Sequence, residues 1–134
     1  GRYVRWEVVP GVRDMGLVDL AGSSVPLVSQ VDAMQVSRVM SAEDVRREQP
    51  QLCKSGARTG VSCGPITAVT DTQVSFRAWD DLGDSGAPVY ARQADGTVAA
   101  VGILFAHSDD VFGRIVHASL VEPVMAPWGL TNWD

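Results

Sequence analysis

The chain has 134 residues, enough for one domain with a core of its own. Its formal charge of -5 argues against a nucleic-acid or anionic-membrane surface, since a phosphate-binding face needs a Lys/Arg excess. No apolar run approaches the roughly 18 residues needed to cross a bilayer as a helix.

Tyr3 to Val9 alternates and is rich in aromatic and β-branched residues, which predicts a half-buried strand. Pro10-Gly11 marks a turn, Met15 to Leu20 a short apolar strand interrupted by Asp19, and Ala21 to Ser24 a loop. Met34 to Met40 places Met34, Val36, Arg38 and Met40 on one side of a further strand. Ser41 to Gln49 is charged, and Ser41 followed by Asp44 has the spacing of a helix start. Pro50 ends this stretch, which reads as a connector with a helical turn and a solvated charged face. Beyond it, short strands are expected at Leu52–Lys54, Cys63–Val69, Gln73–Ala78, Ala87–Ala91, Val98–Phe105 and Gly113–Val116, with Asp95-Gly96 as a hairpin turn. Such regular short strands predict an all-β, closed or nearly closed barrel. A short terminal helix is expected over Ser119–Met125, with Ser119 as N-cap, Glu122 completing a capping box, and Pro127 and Gly129 limiting it.

Cys53 and Cys63 are not accompanied by the other ligands a metal site needs. The segment between them is turn-rich and can fold back as a hairpin, which a disulfide would close; two reduced buried thiols are the alternative. A disulfide implies an oxidising compartment. Gly1, followed directly by strand-like residues, suggests a processed start.

Gly83-Asp84-Ser85-Gly86-Ala87-Pro88-Val89 carries the chemistry. A serine alcohol is a weak nucleophile and needs a base to take its proton. Flanking glycines permit a sharp bend, leave room for a substrate carbonyl, and free the N–H groups of Gly83 and Ser85 to face an oxyanion. A hairpin turn that happens to use Gly-Asp-Ser-Gly is the plainer reading.

This segment resembles the nucleophile turn of the trypsin-like (chymotrypsin-fold) serine proteases. Cys53-Lys54-Ser55-Gly56, Thr59-Gly60 and Cys63-Gly64-Pro65-Ile66 resemble the disulfide hairpin of their bacterial secreted subgroup, which includes alpha-lytic protease and the streptogrisins. The resemblance is carried by Pro50 to Leu130. It implies a double β-barrel, with residues 51–134 as the second barrel and its C-terminal helix, 41–50 as the connector, and 1–40 as part of the first barrel. It implies that Asp84 turns inward onto Lys54, the cation after the first cysteine. It implies that Asp14, in Asp14-Met15-Gly16-Leu17-Val18, is the acid that orients a histidine; Asp19 is the fallback.

No histidine precedes Asp14, where the family places its base. His117 reads as a partly buried structural residue, and His107 would need a rebuilt triad. The expectation is therefore an N-terminal fragment of the same protease, cut before Gly1 and retained non-covalently, that carries the histidine. Phe105-Ala106-His107 stands where the family has a Ser-Gly-Gly-like edge that binds the peptide as an added strand, and Ala87 where a second glycine is usual. Trp79, Asp80 and Asp81 stand near the pocket base. A carboxylate such as Asp80 there would favour a cationic side chain, whereas a solvated loop is the bland reading.

The expected function is a serine endopeptidase working through an acyl-enzyme on a peptide or protein substrate, without metal or organic cofactor, secreted or in the envelope of a bacterium. The alternative is a catalytically silent, protease-like binding module.

Overall fold

The computed structural model, which describes residues 2–24 and 27–131, builds a curled antiparallel sheet from the second half of the chain and a separate hairpin from its start. Gly1, where a processed start was expected, lies outside the described residues. Strands β1 (Arg2–Val9) and β2 (Arg13–Asp19) pair antiparallel around a turn in which Gly11 has φ 77°. The alternation in β1 predicted a half-buried strand, but Tyr3, Val4, Trp6 and Val8 are all exposed. The pattern was legible; the layer that would cover it is not among the described residues.

Strands β3 (Gln30–Val31) and β4 (Met34–Val39) form a tight hairpin. Its turn residues, Asp32 and Ala33, both have positive φ, at 49° and 66°. Such a turn is normally announced by Asn-Gly or Asp-Gly, and with neither present β3 goes unmarked in the sequence. β4 then runs parallel to β10, with Val36 opposite Val98, which attaches this hairpin to the large sheet. The sequence reading had grouped it with the first barrel.

Helix α1 (Ala42–Glu48) is longer than the expected single turn. Its capping box is complete: Ser41 Oγ accepts from Asp44 N–H and Asp44 accepts from Ser41 N–H. Val45 is fully buried and fixes the helix to the barrel, while Gln49 turns left-handed at φ 45° just before Pro50. The outward charges pair as Arg38–Glu48, Arg47–Asp44 and Arg46–Asp71, exposed pairs that each contribute little.

The remaining strands are β5 (Leu52–Gly56), β6 (Gly60–Gly64), β7 (Ile66–Val69), β8 (Gln73–Arg77), β9 (Pro88–Arg92), β10 (Val98–Asp110) and β11 (Gly113–Leu120). Their hydrogen-bonded order is β6-β5-β9-β10-β11-β8-β7. The two ends of that path, β6 and β7, are consecutive stretches of chain separated only by Pro65, so the sheet curls back on itself as a barrel. Cys63–Val69 was expected as one strand. Proline lacks the N–H that a ladder needs and breaks it at the barrel corner. Pro65 instead accepts from Arg77 N–H at 3.0 Å. Gly64 is required beside it, because a Cβ there would lie 1.8 Å from the Arg77 carbonyl oxygen.

Met40, Val45, Leu52, Val74, Phe76, Val89, Val101, Leu104, Val116 and Leu120 fill the interior, each almost wholly buried. A second cluster outside the barrel wall joins Tyr90, Val98, Cys53 and Val36 under the β3–β4 hairpin. The C-terminal helix is shorter than expected: α2 spans Glu122–Met125, its N-cap is Val121, and no side chain caps it. Ser119 is not a cap. It is the penultimate residue of β11, fully buried, and its hydroxyl has another partner.

Candidate active site

Lys54 and Asp84 meet in the interior. Lys54 Nζ lies 3.4 Å from Asp84 Oδ2, and both side chains are wholly buried. Pairing alone does not satisfy two buried charges. The β5–β6 turn and Asp81 supply the rest. Asp84 Oδ1 accepts from the N–H groups of Arg58 (2.9 Å) and Thr59 (3.1 Å), and Oδ2 accepts from Asp81 N–H (3.0 Å) and from the Thr59 hydroxyl. The Thr59 hydroxyl also accepts from Lys54 Nζ. Gly56 makes room, since a Cβ there would stand 2.3 Å from Asp84 Oδ1.

Burial pushes the Asp84 carboxyl up, but the Thr59 hydroxyl and the amides of Asp81, Arg58 and Thr59 outweigh it and hold the group well below its ordinary 3.8. The folded value lies under the unfolded one, so this stabilisation is present above pH 3.8 and lost as acid titrates the folded carboxyl. An acid titration of stability should show the loss from this group begin as the pH falls through the ordinary carboxylate range, where the unfolded chain takes the proton, and continue below it. Asp84→Asn should remove the acid limb assigned to it.

Cys53 and Cys63 are disulfide-bonded and face each other across β5 and β6, clamping the turn that carries Arg58 and Thr59. For a sequence separation of 10, reduction should cost about 3 kcal/mol by loop entropy, read as a lower denaturation midpoint in thiol.

With Asp84 turned inward, Ser85 is turned outward and exposed. The bend is made by Gly83 and Gly86 at φ 99° and 91°, a region L side chains rarely adopt. Asp84 N–H donates to Asp81 O, Ala87 N–H to Asp84 O, and Gly86 N–H to Leu104 O. No hydrogen bond among the described residues engages the N–H of Gly83 or of Ser85. Leu104 N–H donates to Ala87 O at 2.9 Å, which fixes the turn to β10.

The β1–β2 hairpin reaches the same place from the other side. Asp14 N–H donates to the buried Ser119 hydroxyl at 2.9 Å, anchoring the start of β2 on β11. Asp14, Met15, Gly16 and Tyr3 then share a cleft of about 570 Å³ with Ser85, Gly86, Leu104 and Phe105. Asp19 belongs to the far end of β2 and does not line it. Sequence reasoning missed Ser119 as the anchor because its spacing to Glu122 mimicked a capping box. Thr59 was quoted for its motif without a role; a hydroxyl three residues beyond a Lys-Ser-Gly turn was the available signal.

β9 accompanies β10 only as far as Ile103, while Ala106 and His107 pair with β11 on the opposite side. Phe105 sits at the bulge between them. The edge of 105–107 facing the turn is therefore open among the described residues.

His117 is structural in its contacts: Nδ1 lies 2.7 Å from Ser75 Oγ and Nε2 2.8 Å from Ser108 Oγ. Desolvation, then His107, hold its imidazole below the ordinary 6.5. The contribution is complete above pH 6.5 and is lost as the pH falls below it, because the unfolded ring takes the proton first. His117→Gln should flatten the fall of stability below pH 6.5 in chemical denaturation.

His107 does not line the Ser85 cleft. Its Nδ1 lies 2.9 Å from Asp80 Oδ1. Asp80 is not on a solvated loop: it is 4% exposed, and Arg114 Nη1 also lies 2.9 Å from its Oδ1. Asp81 is the exposed one of the pair.

An exposed serine on a two-glycine bend, a buried acid behind it and a curled antiparallel barrel define the chymotrypsin-like fold class. No family model matches the chain, and no curated protein matches it. Among solved structures it is similar to Thermobifida fusca Protease A (24% identity, TM-score 0.56, 72% of this chain and 53% of that one). It is also similar to Cellulomonas bogoriensis chymotrypsin (22% identity, TM-score 0.61, 84% of this chain and 66% of that one). The fold is thus all-β and chymotrypsin-like, the chain supplying the second barrel and part of the first with a short C-terminal helix. It spans 53% and 66% of the length of these two proteins. Among the described residues no helix is long and apolar enough to cross a membrane.

Proposed function

We propose that the chain carries the nucleophile and the oxyanion cradle of a trypsin-like serine endopeptidase. The supporting observation is the Ser85 turn: an exposed hydroxyl beside two unengaged N–H groups, locked from behind by Asp84, across one cleft from Asp14. An imidazole in that cleft, oriented by Asp14, would take the Ser85 proton as Oγ attacks a peptide carbonyl carbon. The carbonyl oxygen would gain the negative charge and accept from Gly83 and Ser85 N–H. Collapse would break the C–N bond and hand the proton to the leaving amine, and water would repeat the cycle on the acyl-enzyme.

The imidazole is assigned to an N-terminal fragment of the same protease. The exposed Tyr3, Trp6 and Val8 face of β1 supports this, because it needs a covering layer. The substrate peptide would lie along the open edge at Phe105, Ala106 and His107. Asp80 is already matched by Arg114 and His107, so cleavage after Lys or Arg should be no more than a few-fold faster than after neutral residues, measured as kcat/KM on a peptide series. The disulfide supports an oxidising, extracytoplasmic location, and the similarity to bacterial proteases supports a secreted or envelope one.

A silent binding module is the second reading. It is favoured by the His107–Asp80 bridge on the edge and by the lack, among the described residues, of a histidine lining the Ser85 cleft. A fluorophosphonate probe separates the two: stoichiometric labelling of Ser85 in the native preparation supports the endopeptidase, and an unlabelled serine with the N-terminal partner present supports the module.

A further inference from the structure

We propose that Asp80 is a positioning residue for acyl transfer: clamped by Arg114 and His107, it fixes the backbone that aims the Gly83 and Ser85 N–H groups. This rests on the endopeptidase reading above.

The clamp acts on the main chain as well as the carboxylate. Arg114 Nη1 donates to the Asp80 carbonyl oxygen at 2.8 Å and to its Oδ1 at 2.9 Å. One guanidinium therefore holds both ends of the residue. The next residue transmits the constraint: Asp81 N–H donates to Asp84 Oδ2 at 3.0 Å, and Asp81 O accepts from Asp84 N–H at 3.1 Å. Asp84 is bonded directly to Ser85. On the other side, His107 ties Asp80 to the same β10 whose Leu104 holds Gly86 and Ala87. The segment from Asp80 to Ala87 is thus gripped at both of its ends, and the two unengaged N–H groups lie between the grips. Losing the Asp80 charge loosens the first grip only: the carboxylate contacts with Arg114 and His107 weaken, while the bond from Arg114 to the Asp80 carbonyl stays.

Arg114 would remain in place without Asp80. Its Nε donates to Asp109 at 2.8 Å, and its guanidinium stacks 4.5 Å from the Trp79 ring centre. Asp80→Asn therefore tests the clamp rather than the barrel.

The experiment uses the native preparation, with its N-terminal partner, and two readouts. Fluorophosphonate labelling of Ser85 should lose about 100-fold in maximal rate in Asp80→Asn, with the half-saturating probe concentration unchanged, because misplaced donors weaken the transition state and not ground-state binding. Backbone amide exchange should quicken over residues 81–86 and stay unaltered in β8 and β9. Asp80→Glu should recover part of the rate. Should Asp80→Asn fail to fold, His107→Ala removes the more exposed partner and must show the same confined exchange. Unchanged exchange at 81–86 overturns the clamp, as does a labelling defect confined to the half-saturating concentration, which would make Asp80 a substrate contact. If the unaltered protein does not label, the endopeptidase reading fails, and the exchange pattern still decides whether the clamp exists.

Discussion

Ser85→Ala should lower peptide hydrolysis by about 10⁴- to 10⁶-fold and leave the protein folded. The size follows from the role. The hydroxyl is the only group in the scheme that forms a bond to the substrate, so what survives is the smaller acceleration given by binding and by the two N–H donors. The absence of a folding penalty follows from the surroundings. Ser85 is exposed and its side chain makes no hydrogen bond among the described residues, so an alanine removes no internal contact. Turnover of a peptide substrate and a thermal melt, run on the same preparation, check both halves. Activity within ten-fold of the parent would remove Ser85 from the chemistry.

Lys54→Met should destabilise the chain by about 3–5 kcal/mol, because it strands the Asp84 carboxylate in a place water does not reach. The neighbouring amides and the Thr59 hydroxyl soften that penalty without cancelling it, since they are dipoles facing a full charge. A variant that also carries Asp84→Leu should recover much of the stability, since no buried charge remains. It should not recover Ser85 labelling, because the inward side chain that orients the turn is gone. Urea titration gives the stability and a fluorophosphonate gives the labelling. A single variant as stable as the parent would mean that Lys54 does not neutralise Asp84.

The barrel was readable in the sequence because its signals are local. Regularly spaced short strands marked β8 and β9, Asp95-Gly96 marked the hairpin between β9 and β10, and Ser41 with Asp44 marked the start of α1. The disulfide was readable in the turn-rich segment between Cys53 and Cys63. The Lys54–Asp84 pair was readable only through the resemblance, which brings together residues thirty positions apart that spacing alone could not join. What the sequence withheld depends on tertiary contacts. β3 needed two residues at positive φ without a glycine to announce them. The break at Pro65 became visible only when β6 and β7 were seen to close a ring. β10 runs five residues past Phe105, through the polar Ser108 to Asp110, because pairing with β11 sustains a strand that propensity would end. Asp80 read as a pocket carboxylate or part of a solvated loop, and not as a clamped residue, because its cation, Arg114, lies thirty-four residues away.

The central claim is that an imidazole from outside residues 1–134 sits between Asp14 and Ser85. A structure of the native preparation, with every co-purifying chain retained, tests it most directly. The account predicts a histidine ring in the cleft, one nitrogen about 3 Å from Ser85 Oγ and the other hydrogen-bonded to Asp14. An ordered, complete assembly whose cleft holds no imidazole, or is closed by other side chains, would contradict it.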